Sequence, residues 1–114
     1  MKKLGILVSG QGSNMTAILN ACEQGYLQAE VEVVISSNPD AKALTKAKER
    51  KIDAISFNET TNKNPEVLDT SICEVLYEHK VDLVLLAGFM KKIGPKVLSI
   101  FEGSILNIHP SLLP

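Results

Sequence analysis

Apolar runs of strand length alternate with helical patterns along the whole chain, and the apolar residues in those runs are mostly consecutive rather than spaced by two. A sheet with one wet face would alternate. Near-continuous runs belong to strands buried on both faces, which requires helices above and below the sheet. Leu4-Gly5-Ile6-Leu7-Val8 is the first such run and Val31-Glu32-Val33-Val34-Ile35 the second. Ala54-Ile55-Ser56-Phe57 is a short third, Val81 to Ala87 is the most apolar and is expected to be central, and Ser104 to Ile108 reads as a short buried strand.

Between these runs the spacing turns helical. A helix is expected from Ser13 or Asn14 to Gln24, where Gly25 stops it. A second runs from Ala41 to Lys51 after the turn Asn38-Pro39-Asp40, with Ala43, Leu44 and Ala47 inward and its lysines on a solvated face. Asn58 to Asn64 reads as a loop, followed by a helix from Pro65-Glu66 to His79 and a short one from Pro95 to Phe101. His79, at a helix C-terminus, fits as a charge complementing the dipole. These units predict an α/β fold: a Rossmann-like, doubly wound, mostly parallel sheet of order 3-2-1-4-5, truncated after the fifth strand. In that order the chain reverses direction across the sheet between strands one and four, so the loops after Val8 and Ala87 line one crevice.

Bulk properties narrow the class. At 114 residues the chain can bury roughly two thirds of the surface its unfolded form exposes, enough for one core. A net charge of −1, with both signs mixed along the chain, offers no electrostatic footprint for nucleic acid or an anionic membrane. Met1-Lys2-Lys3 leads into a strand rather than a signal peptide, which points to the cytosol. Cys22 and Cys73 have no Cys or His at metal spacing and read as structural thiols, not as a disulfide.

Three segments carry chemistry. The loop Ser9-Gly10-Gln11-Gly12-Ser13-Asn14-Met15 begins like a dinucleotide fingerprint, but Met15 stands where the third glycine belongs and Ile35-Ser36-Ser37 replaces the acidic end of strand two, so NAD is disfavoured. What remains is a glycine turn opening a helix, either a tight turn capped by Ser13 or an anion site of monophosphate size at Gly12, Ser13 and Asn14. After strand four, Gly88-Phe89-Met90-Lys91-Lys92-Ile93 offers backbone groups to a flat heterocycle, with Phe89, Met90 and Ile93 either walling a slot or packing in the core. At the chain's end, Asn107 and His109 sit two apart in extended chain, which aims an amide and an imidazole to one side before Pro110 turns away. An amide donor beside a general acid or base suits a reacting carbonyl.

These residues closely resemble the folate-dependent phosphoribosylglycinamide formyltransferases of purine biosynthesis over the whole chain. The specific parts are Ser9 to Asn14, Leu86-Ala87-Gly88-Phe89-Met90, and Asn107-Ile108-His109-Pro110-Ser111-Leu112-Leu113-Pro114. The resemblance implies that Gly12, Ser13 and Asn14 hold the phosphate of glycinamide ribonucleotide, that Met90, Lys91, Lys92, Ile93 and Asn107 contact 10-formyltetrahydrofolate, and that His109 and Asn107 are catalytic, with no metal. The terminal motif alone fits other formyltetrahydrofolate-dependent formyltransferases and a deformylase. A deformylase would carry a regulatory domain before strand one, which here starts directly after Lys3. The rival from another class is a non-catalytic module that binds a phosphorylated metabolite through the Gly12 loop.

Residues 1–114 are thus expected to be the N-terminal, nucleotide-substrate-binding portion of a single formyltransferase domain, with small-molecule partners and a homodimer left open. The resemblance places an aspartate supporting His109 beyond Pro114, so this stretch alone is expected to be inactive and, with an apolar edge exposed around Ile105, Leu112 and Leu113, to self-associate or be only marginally stable. An arginine that some relatives use for folate falls near Pro65, where Lys63 is the candidate replacement.

Overall fold

The computed structural model describes residues 1–108, so His109 and the segment to Pro114 lie outside the described residues. Five strands form one sheet in the order β3-β2-β1-β4-β5, every pairing parallel. They are β1 (Lys2–Val8), β2 (Ala29–Ser36), β3 (Asp53–Ser56), β4 (Leu83–Leu86) and β5 (Ile105–Asn107). The helices are α1 (Ser13–Glu23), α2 (Lys42–Glu49), α3 (Glu59–Lys63), α4 (Pro65–Glu78) and α5 (Pro95–Ile100). This is the expected order and winding.

Side chains alternate along each strand and feed two separate cores. Leu4, Ile6 and Val8 of β1, with Val34 and Leu85, pack under Met15, Ile18 and Leu19 of α1 and Ala43, Leu44 and Ala47 of α2. Leu7, Val33, Ile35 and Val84 face the other way, onto Leu68, Ile72, Cys73 and Leu76 of α4 and Val97 and Phe101 beside α5. Burying both faces is why the runs read as apolar on consecutive residues. Cys22 packs at the first core and Cys73 in the second, both as free thiols. Burial pushes both thiol pKa values up, with help from Glu23 at Cys22 and Asp69 at Cys73.

β4 lies inside the sheet as expected, between β1 and β5. Three expectations need correction. The stretch 58–64 contains α3, because the Asn58 carboxamide oxygen accepts from Thr61 N–H at 2.8 Å and Lys63 pairs with Glu59 one turn back; capping turned a cluster of loop formers into a helical turn. Helix α1 is capped by Gly12 rather than Ser13, with no side-chain cap bond. Finally, β5 lies at the edge its place in the order implies but is not buried as its apolar run suggests: Ile105 is half-buried, and Leu106 is 49% exposed on the opposite face.

Helices α2 and α4 end alike. Their last turns are closed by Ile52 N–H to the Ala47 carbonyl at 3.0 Å and by Val81 N–H to the Leu76 carbonyl at 3.1 Å. The residues in the left-handed position are Lys51 (φ +62°) and Lys80 (φ +54°), where glycine is the usual occupant.

Candidate functional site

All strands being parallel, the loops after β1, β2 and β4 leave the same rim of the sheet, and a single hydroxyl ties them. Ser9, directly after β1, accepts the Met90 N–H at 2.6 Å and shares a hydrogen bond with the Ser37 hydroxyl at 3.1 Å. Asn62 of α3 adds to this rim, donating to the Ser37 and Phe57 carbonyls at 3.0 and 2.9 Å. The loops after β1 and β4 therefore do line one crevice. Neither Ser9 nor Asn62 stood out in the sequence as a bridge; the hydroxyl at Ser9 was the available signal, at the point where the sheet reverses.

The Gly12 loop is fixed by α2. Gly12 has φ +82°, and a side chain there would place Cβ 2.8 Å from Ala43 Cβ and 3.0 Å from Ala43 Cα, so both conformation and packing require glycine. The Ala43 N–H donates to the Gly10 carbonyl at 3.2 Å and Lys46 Nζ to the Gln11 carbonyl at 2.9 Å. Ser13, the first residue of α1, is exposed and Asn14 half-buried, which leaves the amino end of the 11-residue α1 available to an anion. Lys46 is thus a brace for this loop rather than only a solvated charge.

Across the crevice, the segment after β4 divides. Phe89 and Ile93 pack against the α4 side of the sheet, whereas Met90 is 82% exposed, and Lys91 and Lys92 are exposed with it. Core packing therefore holds for Phe89 and fails for Met90, whose backbone is held instead through Ser9. A groove of about 720 Å³ runs from Glu66, Thr70 and Glu74 of α4 to Lys92, Ile93 and Lys96. Lys63 is paired with Glu59 at 2.6 Å, both largely exposed, a tie that water readily exchanges. Asn107 pairs in register with Leu86 at the end of β5 and is exposed; by alternation it shares the sheet face of Leu86 and Ile105, the face of Phe89 and Ile93. His109 lies outside the described residues, so its predicted alignment with Asn107 has no geometry to set beside it.

The sequence profile of the family described as formyl transferase matches residues 2–114, nearly the whole chain. The chain belongs to the formyl transferase family. A phosphoribosylglycinamide formyltransferase of Haemophilus influenzae is 44% identical over 114 residues, all of this chain and 54% of the relative. One from Bacillus subtilis is 36% identical over the same 114 residues, 58% of its length. The crystal structure of glycinamide ribonucleotide transformylase 1 from Symbiobacterium toebii superposes with a TM-score of 0.90 at 38% identity, over 96% of this chain and 51% of that one. This formyl transferase chain thus spans about half the length of the relatives it matches.

Two further features bear on the formyl transferase rim. Among the described residues no group of three or more His, Cys, Asp or Glu side chains is placed to hold a metal ion, and no helix is long and apolar enough to cross a membrane. At the opposite, amino-terminal rim, His79 is held between the Val75 carbonyl (Nδ1, 2.8 Å) and the Asp53 carboxylate (Nε2, 2.9 Å). Burial pulls its pKa down, but these bonds and the charges of Asp53 and Glu78 outweigh burial and hold it above the usual histidine value. His79 is a structural tie, remote from the crevice.

Proposed function

We propose that this chain is the N-terminal, ribonucleotide-binding part of an enzyme that moves a formyl group from 10-formyltetrahydrofolate to the amine of glycinamide ribonucleotide. The observation that carries the reading is the Ser9 bridge, which sets a glycine-built helix N-terminus and an exposed backbone segment on two sides of one crevice, in a chain whose relatives bear that name. Gly12, Ser13 and Asn14 receive the ribonucleotide phosphate with backbone N–H groups and the α1 dipole. Met90 to Ile93 offer peptide groups to the edge of the pterin ring, and Asn107 approaches from the same sheet face. The rim tie of Ser9 to both flanking loops favours this reading over a one-ligand binding module, which needs only the Gly12 side.

In the transfer, the substrate amine nitrogen bonds to the formyl carbon. The oxyanion that develops accepts hydrogen bonds from the Asn107 amide and the protonated His109 imidazole; the carbon–nitrogen bond to the folate then breaks, and the proton lost by the amine is delivered to the departing nitrogen. The scheme assigns no role to a metal. The test is His109→Ala in the full-length protein, assayed for formyl transfer with both substrates. Turnover is expected to fall on the order of 10²-fold or more while both substrates still bind. Wild-type turnover by a folded variant rejects the assignment.

A further inference from the structure

One buried charge has no part in the scheme above. Asp69, in the first half of α4, is 4% exposed and is the one buried acidic side chain among the described residues. Its carboxylate reaches across to α5, accepting the Lys96 N–H at 2.8 Å and the Val97 N–H at 3.1 Å. These are the unpaired donors that a helix normally satisfies with its own N-cap side chain. Here the N-cap is Gly94, which has none, and Pro95 follows it. Gly94 is also what lets the carboxylate in: a Cβ there would come within 2.6 Å of the Asp69 Cβ and Oδ2. Lys96 closes the same contact from above, its Nζ donating to Thr70 Oγ1 at 2.7 Å. The segment that leaves β4 is therefore gripped at two places, at Met90 by Ser9 and at 96–97 by Asp69. Between those grips lie the exposed residues Lys91 and Lys92.

We propose that Asp69 is a positioning residue for the formyl-donor site, fixing the path of residues 90–95 by capping α5 from α4. The assignment rests on the formyl-transfer reading given above. Its logic is mechanical: backbone groups that must meet a flat ring in one register need both ends of their segment held, and a charge-assisted bond from a buried carboxylate is a strong hold.

The experiment compares Asp69→Asn and Asp69→Ala in the full-length protein, reading both KM values, kcat, and amide exchange over residues 88–97 and 9–16. Asparagine keeps one acceptor oxygen and alanine keeps none, so the effects should be graded. KM for 10-formyltetrahydrofolate should rise about threefold to tenfold in the first and tenfold or more in the second, with KM for the ribonucleotide within about twofold. Exchange should quicken over 88–97 and stay unchanged over 9–16. Should the alanine variant fail to fold, Gly94→Ala attacks the same contact from its other side and should give the same donor-selective pattern. Parallel rises in both KM values, or an unchanged donor KM in folded variants, overturn the proposal. If the wild-type protein transfers no formyl group, the formyl-transfer reading fails instead. Exchange then decides alone whether Asp69 holds the segment: quickening confined to 88–97 supports it, and uniform or absent change overturns it.

Discussion

The two sides of the crevice are built on opposite plans. On the Gly12 side the loop is packed against a helix, braced by Ala43 N–H and Lys46, and at Gly12 itself has no room for an added carbon. On the Met90 side the chain is gripped at Ser9 and at Asp69, and between the grips Lys91 and Lys92 are exposed while Ile93 packs inward. On the proposed reading, a small, highly charged phosphate would meet a cradle already formed on folding, whereas a larger flat ligand would meet a segment held at both ends.

The comparison can be broken most forcefully at Gly12. A Gly12→Val substitution puts a branched residue at φ +82° with its Cβ against Ala43, which should cost on the order of 3 kcal/mol of stability. In the full-length protein it should raise KM for the ribonucleotide on the order of 100-fold, a shift of about 2.7 kcal/mol in binding, while KM for the folate changes far less. Equal effects on both would mean the two sides are not independent sites.

A smaller effect is expected from Ser9→Ala, which sharpens the comparison by cutting what joins the two sides. Losing the hydroxyl removes the Met90 and Ser37 bonds and should cost about 1 kcal/mol. Melting temperature should drop by a few degrees and both KM values should rise together. A change confined to one substrate would show that the bridge does not couple the sides.

The mildest perturbation lies at the other rim and serves as the control. The pKa of His79 is raised on folding, so the stability its ion pair adds is fully present below the unfolded value of about 6.5 and is lost as pH rises through the folded value. Asp53→Asn should therefore lower melting temperature near pH 6 and make little difference near pH 9. Asp53 is 72% exposed, so the effect should stay at or below about 1 kcal/mol. KM for either substrate should not move; a shift in either would mean the two rims are linked.

Much of this was legible in the sequence because its signals are local. Consecutive apolar residues gave the strands, Gly25 and Pro65 the helix limits, and the reversal between β1 and β4 the crevice. What stayed hidden lies mostly in contacts between segments distant from one another along the chain. Nothing near Met90 says that Phe89 turns into the core and Met90 out of it. Asp69 was invisible for the same reason: in sequence it is one polar residue on an amphipathic helix, and its partners, Lys96 and Val97, are 27 and 28 residues away. Asn58 to Lys63 was misread because capping residues and loop residues are the same types, and only the bond to Thr61 N–H distinguishes them.

The left-handed lysines carry a consequence for how such a chain can change over generations. Lys51 and Lys80 occupy backbone positions that cost an L-residue on the order of 1 kcal/mol and that glycine takes without strain. Both sit where the chain leaves a helix to enter the sheet, at the rim away from Ser9. The strain is thus a reserve: it can be relieved by one codon at either place without disturbing the crevice, and the stability so released can absorb a costly substitution where new specificity has to arise.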